Sequence, residues 1–296
     1  MRVKKVLKNL ASRCKIFIKY CQILSSGYRI YSIEKVFNYS NIKIDVVIPC
    51  IEKDINCLKY TIESIRKNIL HPIGNIYIIS PVSNIIESFC KNNLCIYIEE
   101  DTVLPLKKKE IIYKVDGEDR SGWLFQQLLK LGADLITKED HYLVVDADTI
   151  FLKSHKFIEK GNYILRFSDE FHIPYYKTYE KLFLKKIVSP VSFITHNMLF
   201  SKIKLRKMKS TIEKIHSKSW FQAIIQNIDH SENSSFSEYE LYGNFLANCY
   251  SEKIIMQHWN NLSRSSDILN YHNDLESITS RYSKRFSTIS LHSYNS

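Results

Sequence analysis

The segment Tyr142-Leu-Val-Val-Asp-Ala-Asp-Thr-Ile-Phe151 is an apolar run that leads into two acidic residues, Asp146 and Asp148, separated by one alanine. Alternate side chains of a β-strand point to the same face, so both carboxylates would project to one side. Burying two carboxylates next to each other is unfavourable unless a cation or a proton compensates their charge. The pattern therefore predicts a divalent metal, Mg²⁺ or Mn²⁺, that connects the pair to a phosphate group.

The chain before this motif alternates between strand-like and helix-like segments. Apolar runs at 45–50, 75–80 and 94–98 are typical of buried strands, and residues 56–68 and 85–92 have apolar positions at helical spacing. This alternation predicts an α/β fold around a mainly parallel central sheet that is covered on both faces. Ligands of such sheets bind at the carboxyl ends of the strands, where Asp146 and Asp148 would lie. Further predicted elements are a helix at 123–131 that stops at Gly132, strands at 142–145, 163–167 and 192–194, and helices at 219–226 and 238–247.

The pattern divides the chain into a main domain over 41–262, an N-terminal appendage over 1–40 and a C-terminal tail over 263–296. In the appendage, apolar residues at helical spacing alternate with basic ones, and the first acidic residue is Glu34. Such a basic amphipathic helix could lie on an anionic membrane surface, or it could pack on the domain and leave its lysines in water. The tail is rich in Ser and Asn, and it either is loosely ordered or returns onto the domain surface.

Composition indicates the kind of partner and the compartment. A formal charge of +11 favours an anionic partner such as a nucleotide or a phospholipid surface, and no nucleic-acid-binding signature accompanies it, which argues against nucleic acid. The seven cysteines are scattered without a Cys-x-x-Cys pair, which indicates reduced thiols. The sequence has no run of 18 apolar residues and no secretory signal, so we expect a cytoplasmic protein, peripheral on the inner face of the cytoplasmic membrane if the basic helix binds lipid.

A second acidic pair, Glu238 and Glu240, flanks Tyr239 at the start of a predicted helix. The helix macrodipole stabilises carboxylates at such a position, so ordinary helix capping would also explain the pair. A carboxylate that faces a binding pocket could instead take the proton from an acceptor hydroxyl. We predict that one of the two is catalytic and favour Glu238, with Glu240 second.

Other polar residues are candidates for ligand contact. Arg120, Trp123 and Gln126 lie around a polar loop, where a guanidinium is suited to bidentate contact with phosphate and Trp123 would equally fit a core. His196 follows a predicted strand and could ligate metal, contact phosphate or position an acceptor. His258 is the candidate for a third metal ligand, and the late His292 is a rival for the same role. A lone histidine is, however, more often a structural hydrogen-bonding residue, and this alternative stays open for all three.

Five segments, in this order, resemble the nucleotide-diphospho-sugar transferases of the GT-A fold. They resemble most a group of poorly characterised bacterial glycosyltransferases associated with surface polysaccharides, and the resemblance covers about residues 43–260. The segments are Asp45-Val-Val-Ile-Pro-Cys50, Gly122-Trp-Leu-Phe-Gln-Gln127, Val144-Val-Asp-Ala-Asp148, Ser192-Phe-Ile-Thr-His-Asn-Met-Leu-Phe200 and Ser237-Glu-Tyr-Glu-Leu-Tyr-Gly243.

The resemblance implies a metal-dependent enzyme that moves a sugar from a nucleotide-diphosphate donor to a glycan or lipid-linked glycan acceptor. It implies that Asp148 holds the metal and that Asp146 contacts the ribose or the metal. Members of the group usually act at the cytoplasmic membrane face on capsule or lipopolysaccharide precursors. The basic N-terminal segment would fit that location.

Two alternatives of other classes remain. Asp146-Ala-Asp-Thr matches the Asp-x-Asp-x-Thr pattern of haloacid-dehalogenase-like phosphatases, in which Asp146 would be the nucleophile and Asp148 the general acid/base. That motif normally lies on the first strand of its domain, whereas strand–helix units precede it here, and we find no convincing Gly-Asp-x-x-x-Asp pair downstream. The other alternative is a non-catalytic, membrane-associated module that binds sugar nucleotides without turnover.

Overall fold

A computed structural model describes residues 18–25, 27–30, 39–187, 189–271 and 274–292. The strands are β1 (Arg29–Ile30), β2 (Ile44–Pro49), β3 (Ile73–Ser80), β4 (Ile96–Glu99), β5 (Lys114–Val115), β6 (Glu118–Asp119), β7 (His141–Val145), β8 (Thr149–Phe151), β9 (Ile158–Glu159), β10 (Asn162–Phe167), β11 (Asn197–Ser201), β12 (Ile254–His258), β13 (Asn261–Ser265) and β14 (Thr288–His292). The helices are α1 (18–25), α2 (Ile55–Asn68), α3 (Asn84–Asn92), α4 (Ser121–Gly132), α5 (Ile173–Phe183), α6 (Lys202–His216), α7 (Trp220–Asn227), α8 (Glu238–Cys249) and α9 (Leu275–Tyr282).

The central sheet has five strands in the order β11-β7-β2-β3-β4. Strands β7, β2, β3 and β4 run parallel, and β11 pairs antiparallel with β7 at one edge. All six residues of β2 are buried, as are the last four of β7. These buried and mostly apolar strands thus form a sheet that is covered on both faces.

Alternate residues of the central strands enter two separate cores. Val47 and Val144 belong to a core that also contains apolar residues of α4 and α8. Their neighbours Val46 and Leu143 belong to a second core that contains residues of α2 and α3. The side-chain period of two along a strand therefore divides each strand between two helical layers. The predicted α/β fold with a mainly parallel central sheet is confirmed.

Two smaller sheets and a hairpin flank this core. One sheet has the order β1-β12-β10-β9, in which β10 pairs parallel with β12 and antiparallel with β9. The other has the order β13-β14-β8, in which β14 pairs antiparallel with β8. Strand β8 follows the acidic motif directly, so this pairing ties the C-terminal part of the chain to the segment that carries Asp146 and Asp148.

The described part of the C-terminal segment returns onto the domain. Leu275, Ile289 and Leu291 are buried in a third apolar cluster together with Cys57 of α2 and Ile150 of β8. We predicted that the tail over 263–296 either is loosely ordered or returns onto the domain surface. Its described residues pack on the domain. Strand β14 therefore belongs to the same folded unit as the predicted domain over 41–262.

The described part of the N-terminal appendage also packs on the domain. Ile23 of α1 is fully buried in the main core, and the ring of Tyr20 meets the ring of Phe167 edge-on at 5.9 Å. Ile18 and Leu24 on the same helix are more than half exposed. Residues 1–17, where most of the predicted basic stripe lies, are outside the described residues.

Most predicted elements lie within two residues of the observed ones, but the strand predicted at 192–194 is wrong. The strand is β11, which begins at Asn197, and Ser192 makes only an isolated bridge with Ser168. Local hydrogen bonds explain the difference. The hydroxyl of Thr195 donates to the carbonyl of Asn197 at 2.8 Å, and Nδ2 of Asn197 donates to the carbonyl of Thr195 at 2.7 Å. They form a turn in which His196 has a φ of 58°.

No helix in the described part of the chain combines the length and the apolar character needed to cross a membrane. The cysteines of that part are free thiols, as the scattered spacing predicts: Cys21, Cys50, Cys57, Cys90, Cys95 and Cys249. Burial raises the pKa of several of them, Cys50 and Cys57 among them, so these thiols behave as apolar core groups.

Candidate active site

A cleft with a volume of about 870 Å³ lies at the carboxyl ends of β2, β3 and β7. Helix α4, the first turn of α8 and the segment between β10 and α5 complete its wall. This is the edge at which parallel α/β sheets bind ligands. Seven of the predicted site residues line it: Arg120, Trp123, Gln126, Asp146, Asp148, His196 and Glu238.

The backbone of the acidic motif is held from two sides. The N–H of Asp146 donates to the carbonyl of His196 at 3.1 Å, just before β11. The N–H of Leu291 in β14 donates to the carbonyl of Asp148 at 3.0 Å. A turn between the two acids is closed by the N–H of Thr149, which donates to the carbonyl of Asp146 at 3.0 Å. These bonds fix both carboxylates at the cleft wall.

A buried lysine lies between the two acidic motifs. Lys130 of α4 is 3% exposed, and its Nζ donates to Oδ1 of Asp146 at 2.6 Å and to Oε1 of Glu238 at 2.8 Å. A third bond runs to Oε1 of Gln127 at 3.3 Å. Burial disfavours the ammonium form, but the two carboxylates outweigh burial and raise the pKa of Lys130. Lys130 is therefore a fixed cation between the motifs.

Both carboxylate oxygens of Asp146 accept hydrogen bonds from the protein. Besides Lys130, the hydroxyl of Tyr239 donates to Oδ1 at 2.9 Å, and Nδ1 of His196 lies 3.0 Å from Oδ2. Burial by itself would raise the pKa of Asp146, but the charges of Lys130 and His196 lower it overall. Asp146 is therefore ionised and firmly oriented.

His196 lies between two carboxylates. Its Nδ1 faces Asp146, and its Nε2 is 3.5 Å from Oε1 of Glu170. Burial lowers the pKa of the imidazole, but its contacts with the two acids outweigh burial and raise that pKa to about 10. His196 is therefore positively charged at neutral pH beside these two acids, which makes it a partner for anions.

Glu238 lies in the first turn of α8, where Ser237 is the N-cap residue, and it is 1% exposed. Burial raises the pKa of Glu238, and the charge of Lys130 opposes that effect. A carboxylate in such a position holds a proton more readily than one in water. This property suits a group that accepts a proton during a reaction.

Glu240 is also buried, but it is not among the described residues that line the cleft. It accepts hydrogen bonds from the hydroxyl of Ser192 at 2.5 Å, the N–H of Phe193 at 3.1 Å, the hydroxyl of Tyr176 at 3.2 Å and Nδ2 of Asn244 at 2.9 Å. Burial raises its pKa to about 7. Its contacts join α8 to α5 and to the segment before β11, and of the predicted pair Glu238 is the one that lines the cleft.

The polar loop before α4 brings basic and aromatic groups to the cleft. The guanidinium of Arg120 lies 5.1 Å from the ring centroid of Trp123, and its Nε donates to the carbonyl of Asn233 at 2.9 Å. Lys108 also lines the cleft, and a Cβ at Gly122 would lie only 3.0 Å from Cε of Lys108. Gly122 thus leaves room for a second cation beside Arg120.

His258, the predicted third metal ligand, lies elsewhere. It is the last residue of β12, its ring centroid is 5.4 Å from that of Phe167, and it is not among the described residues that line the cleft. The structure therefore does not bring His258 together with Asp146 and Asp148.

The cleft residues that sequence reasoning missed include Lys130, Tyr239, Glu170 and Asp54. For Lys130 the signal was present in the segment Leu128-Leu-Lys-Leu131, where a lysine is surrounded by leucines in a helix. A charged residue in an apolar helix needs a carboxylate partner. The other three have ordinary surroundings in the sequence and gave no such signal.

The residues of the cleft could hold a divalent metal only together with a phosphate ligand. Asp146 already accepts bonds from three side chains, and the described residues contain no grouping of three His, Cys, Asp or Glu side chains that could hold a metal. Mg²⁺ is usually held by one or two carboxylates together with substrate phosphates and water. Asp148 with a diphosphate would supply such a set, and Mn²⁺ accepts the same hard oxygen ligands.

The chain was compared with solved structures, curated protein sequences and protein families. Two solved structures that are similar to the chain are glycosyltransferases. The chain is similar to mouse xyloside xylosyltransferase 1 in its apo form at 8% identity and a TM-score of 0.47, over 86% of this chain and 99% of that chain. It is similar to the galactosyltransferase LgtC in complex with donor and acceptor sugar analogs at 11% identity and a TM-score of 0.44, over 84% of this chain and 87% of that chain.

No curated protein sequence matches the chain significantly. The model of one protein family matches residues 41–289, which is most of the chain. The chain belongs to this family, DUF6492, which is described as a family of unknown function.

Proposed function

We propose that the protein is a glycosyltransferase that moves a sugar from a nucleoside-diphosphate donor to a hydroxyl group of a glycan or lipid-linked glycan. One observation carries the proposal: Asp146, Asp148 and Glu238 line the same cleft at the carboxyl ends of parallel strands. Transfer requires a place for a diphosphate and a carboxylate that takes a proton. The two acidic motifs provide these two functions.

The donor would bind through its diphosphate. In this proposal Asp148 holds Mg²⁺ or Mn²⁺ together with the diphosphate, and such a cation stabilises the charge on the departing nucleoside diphosphate. Arg120 and Lys108 place positive charge on the same cleft wall, and Trp123 offers an aromatic face beside them. These groups suit an anionic ligand that carries a planar base.

The acceptor hydroxyl must lose its proton as it attacks the anomeric carbon. In this proposal Glu238 takes that proton if the reaction inverts the configuration, since it lines the cleft and burial raises its pKa. Lys130 holds the Glu238 side chain in place through the bond of 2.8 Å. In this proposal Asp146 is not the base, because Lys130, Tyr239 and His196 already occupy its oxygens.

The acceptor would bind against the segment before α5. Phe171, His172 and Tyr175 line the cleft there, and Phe171 is half exposed. Lys19 of α1 forms an ion pair with Asp169 and lies 4.7 Å from the ring centroid of Phe171. Lys19, which belongs to the described part of the basic N-terminal segment, therefore lies at the aromatic part of the cleft rim.

This position supports a peripheral location at the inner face of the cytoplasmic membrane. A basic amphipathic segment binds anionic lipid through its charges and its apolar side chains. With a formal charge of +11, the protein would be attracted to that surface. A lipid-linked acceptor of capsule or lipopolysaccharide synthesis would reach the cleft from there.

A thermal-shift panel tests the proposal. Purified protein would be heated with UDP, GDP, CMP and their sugars, each with and without Mn²⁺. We expect one nucleoside diphosphate to raise the melting temperature only when the metal is present, and Asp148→Ala to abolish that rise. Asp140→Ala is the matched control, because Asp140 is exposed at the opposite end of β7 and should leave the rise unchanged.

Turnover separates the three classes of function. With the stabilising donor, a glycosyltransferase releases the nucleoside diphosphate when an acceptor is supplied. Mg²⁺-dependent release of phosphate from an aryl phosphate, with a covalent aspartyl-phosphate at Asp146, would support a phosphatase instead. Stabilisation by ligand without turnover under any condition would support a binding module.

A further inference from the structure

Lys130 already occupies the position of a counterion at the acidic motif. Its Nζ lies 2.6 Å from Oδ1 of Asp146, and the residue is 3% exposed. A metal that used both aspartates would have to share Asp146 with this ammonium. We propose that Lys130 competes with the divalent metal for Asp146, so that Asp148 and the donor diphosphate provide the main binding site. This inference rests on the proposed function.

The surroundings of Lys130 keep it in this position. Its three hydrogen bonds run to Asp146, Glu238 and Gln127, which matches the three protons of an ammonium group. Its backbone is tied to the motif strand because the hydroxyl of Tyr142 in β7 donates to the Lys130 carbonyl at 3.0 Å. The Tyr239 ring centroid lies 4.8 Å from Nζ. The ammonium is therefore part of the rigid wall of the cleft.

A fixed cation of this kind weakens the binding of other cations. A positive charge within hydrogen-bonding distance lowers the affinity of a carboxylate for a proton by a factor of about 10 to 1,000. The same repulsion acts on Mg²⁺ or Mn²⁺ at Asp146. The negative charge of a bound diphosphate offsets it. The inference therefore predicts that the metal binds weakly to the protein alone and much more tightly together with a nucleoside diphosphate.

Glu238 provides an independent way to change the competition. It shares Lys130 with Asp146 through the bond of 2.8 Å. If Glu238 loses its charge, Asp146 is the remaining one of these two carboxylates that compensates the Lys130 ammonium. Metal binding should then weaken further, which is the opposite of the effect of removing the Lys130 charge.

The test measures Mn²⁺ affinity by electron paramagnetic resonance, with no activity assay. We expect Lys130→Met to bind Mn²⁺ at least about tenfold more tightly than wild type without nucleotide, because the competing charge is gone. Lys130→Arg keeps the charge and should bind as wild type does. The double variant Lys130→Met, Asp146→Asn should lose the gain, since the gain depends on the freed Asp146. Circular dichroism checks the fold of each variant.

The outcomes are distinct. A Lys130→Met protein that binds Mn²⁺ no more tightly than wild type, or whose gain survives Asp146→Asn, overturns the inference while leaving the proposed function intact. If Lys130→Met does not fold, Glu238→Gln decides, because unchanged or tighter Mn²⁺ binding by that variant overturns the inference. If wild type binds no Mn²⁺ even with UDP, GDP or CDP, the metal-dependent function itself fails, and the inference with it.

Discussion

The acidic motif at the start of α8 allows a paired substitution with opposite outcomes. Glu238 and Glu240 are two residues apart and both buried, but only Glu238 lines the cleft. We predict that Glu238→Gln lowers the rate of transfer by a factor of about 100 or more, which is typical of the loss of a general base. Glu240→Gln should keep transfer close to the wild-type rate and should instead change how stability depends on pH.

The size of the effect of Glu240 on the pH dependence of stability follows from its burial. Its pKa is raised from 4.5 to about 7, so the folded protein binds more protons than the unfolded chain between these two pH values. The free energy of unfolding therefore falls as the pH rises from about 4.5 to about 7 and is constant above that range. The gap between the two pKa values corresponds to about 3 kcal/mol.

A glutamine at position 240 has no titratable proton, so the pH-dependent part of the free energy of unfolding that comes from Glu240 disappears. The amide must then face Nδ2 of Asn244, which now donates to the carboxylate at 2.9 Å. Oδ1 of Asn244 has no hydrogen-bond partner among the described residues, so a rotated Asn244 amide can accept from the glutamine. We therefore expect Glu240→Gln to be at least as stable as wild type at pH 8 and less stable at pH 5.

Urea unfolding at pH 5, 6, 7 and 8, followed by fluorescence, measures the effect. The difference in free energy of unfolding between pH 5 and pH 8 should shrink by about 2 to 3 kcal/mol in Glu240→Gln. Transfer assays on both variants complete the comparison. A folded Glu240→Gln protein without activity, or an active Glu238→Gln protein, would refute the assignment of the two roles.

Three further predictions concern packing, charge and the acceptor. In Gly243→Ala the new Cβ would lie 2.5 Å from Cγ of Phe193, and the overpacking should lower the free energy of unfolding by roughly 1 to 3 kcal/mol in urea. Lys209→Met leaves the buried Asp134 with less compensation and should cost about 3 kcal/mol in the same assay; a loss under 1 kcal/mol would contradict this. Phe171→Ala should raise KM for the acceptor several-fold while KM for the donor and the melting temperature stay unchanged, and a larger effect on the donor would argue against an acceptor site there.

The sequence predicts the central part of the fold well because local patterns decide it. Strands β2 and β7 are short and mostly apolar, and the segment 56–68 places its apolar residues on one helical face. Such segments form the same structure in almost any parallel sheet. The error at 192–194 arose because side chains of Thr195 and Asn197 bond to each other's backbone, and this local turn prevails over the apolar character of the segment.

The site could be predicted only in part because its charges are paired across long stretches of chain. The acidic motif indicates a cation, but the partner in the structure is Lys130, sixteen residues earlier, together with His196, fifty residues later. No spacing rule connects these positions. The difference between Glu238 and Glu240 likewise depends on which side of α8 faces the cleft, since both look alike in the sequence.

A crystal structure with Mn²⁺ and the nucleoside diphosphate selected by thermal shift tests the central claim most directly. Anomalous scattering would locate the metal. The proposed function predicts Mn²⁺ between Asp148 and the diphosphate, with Lys130 still bonded to Asp146 and the base near Trp123. A diphosphate bound outside the cleft, or a metal with no contact to Asp148, would contradict it.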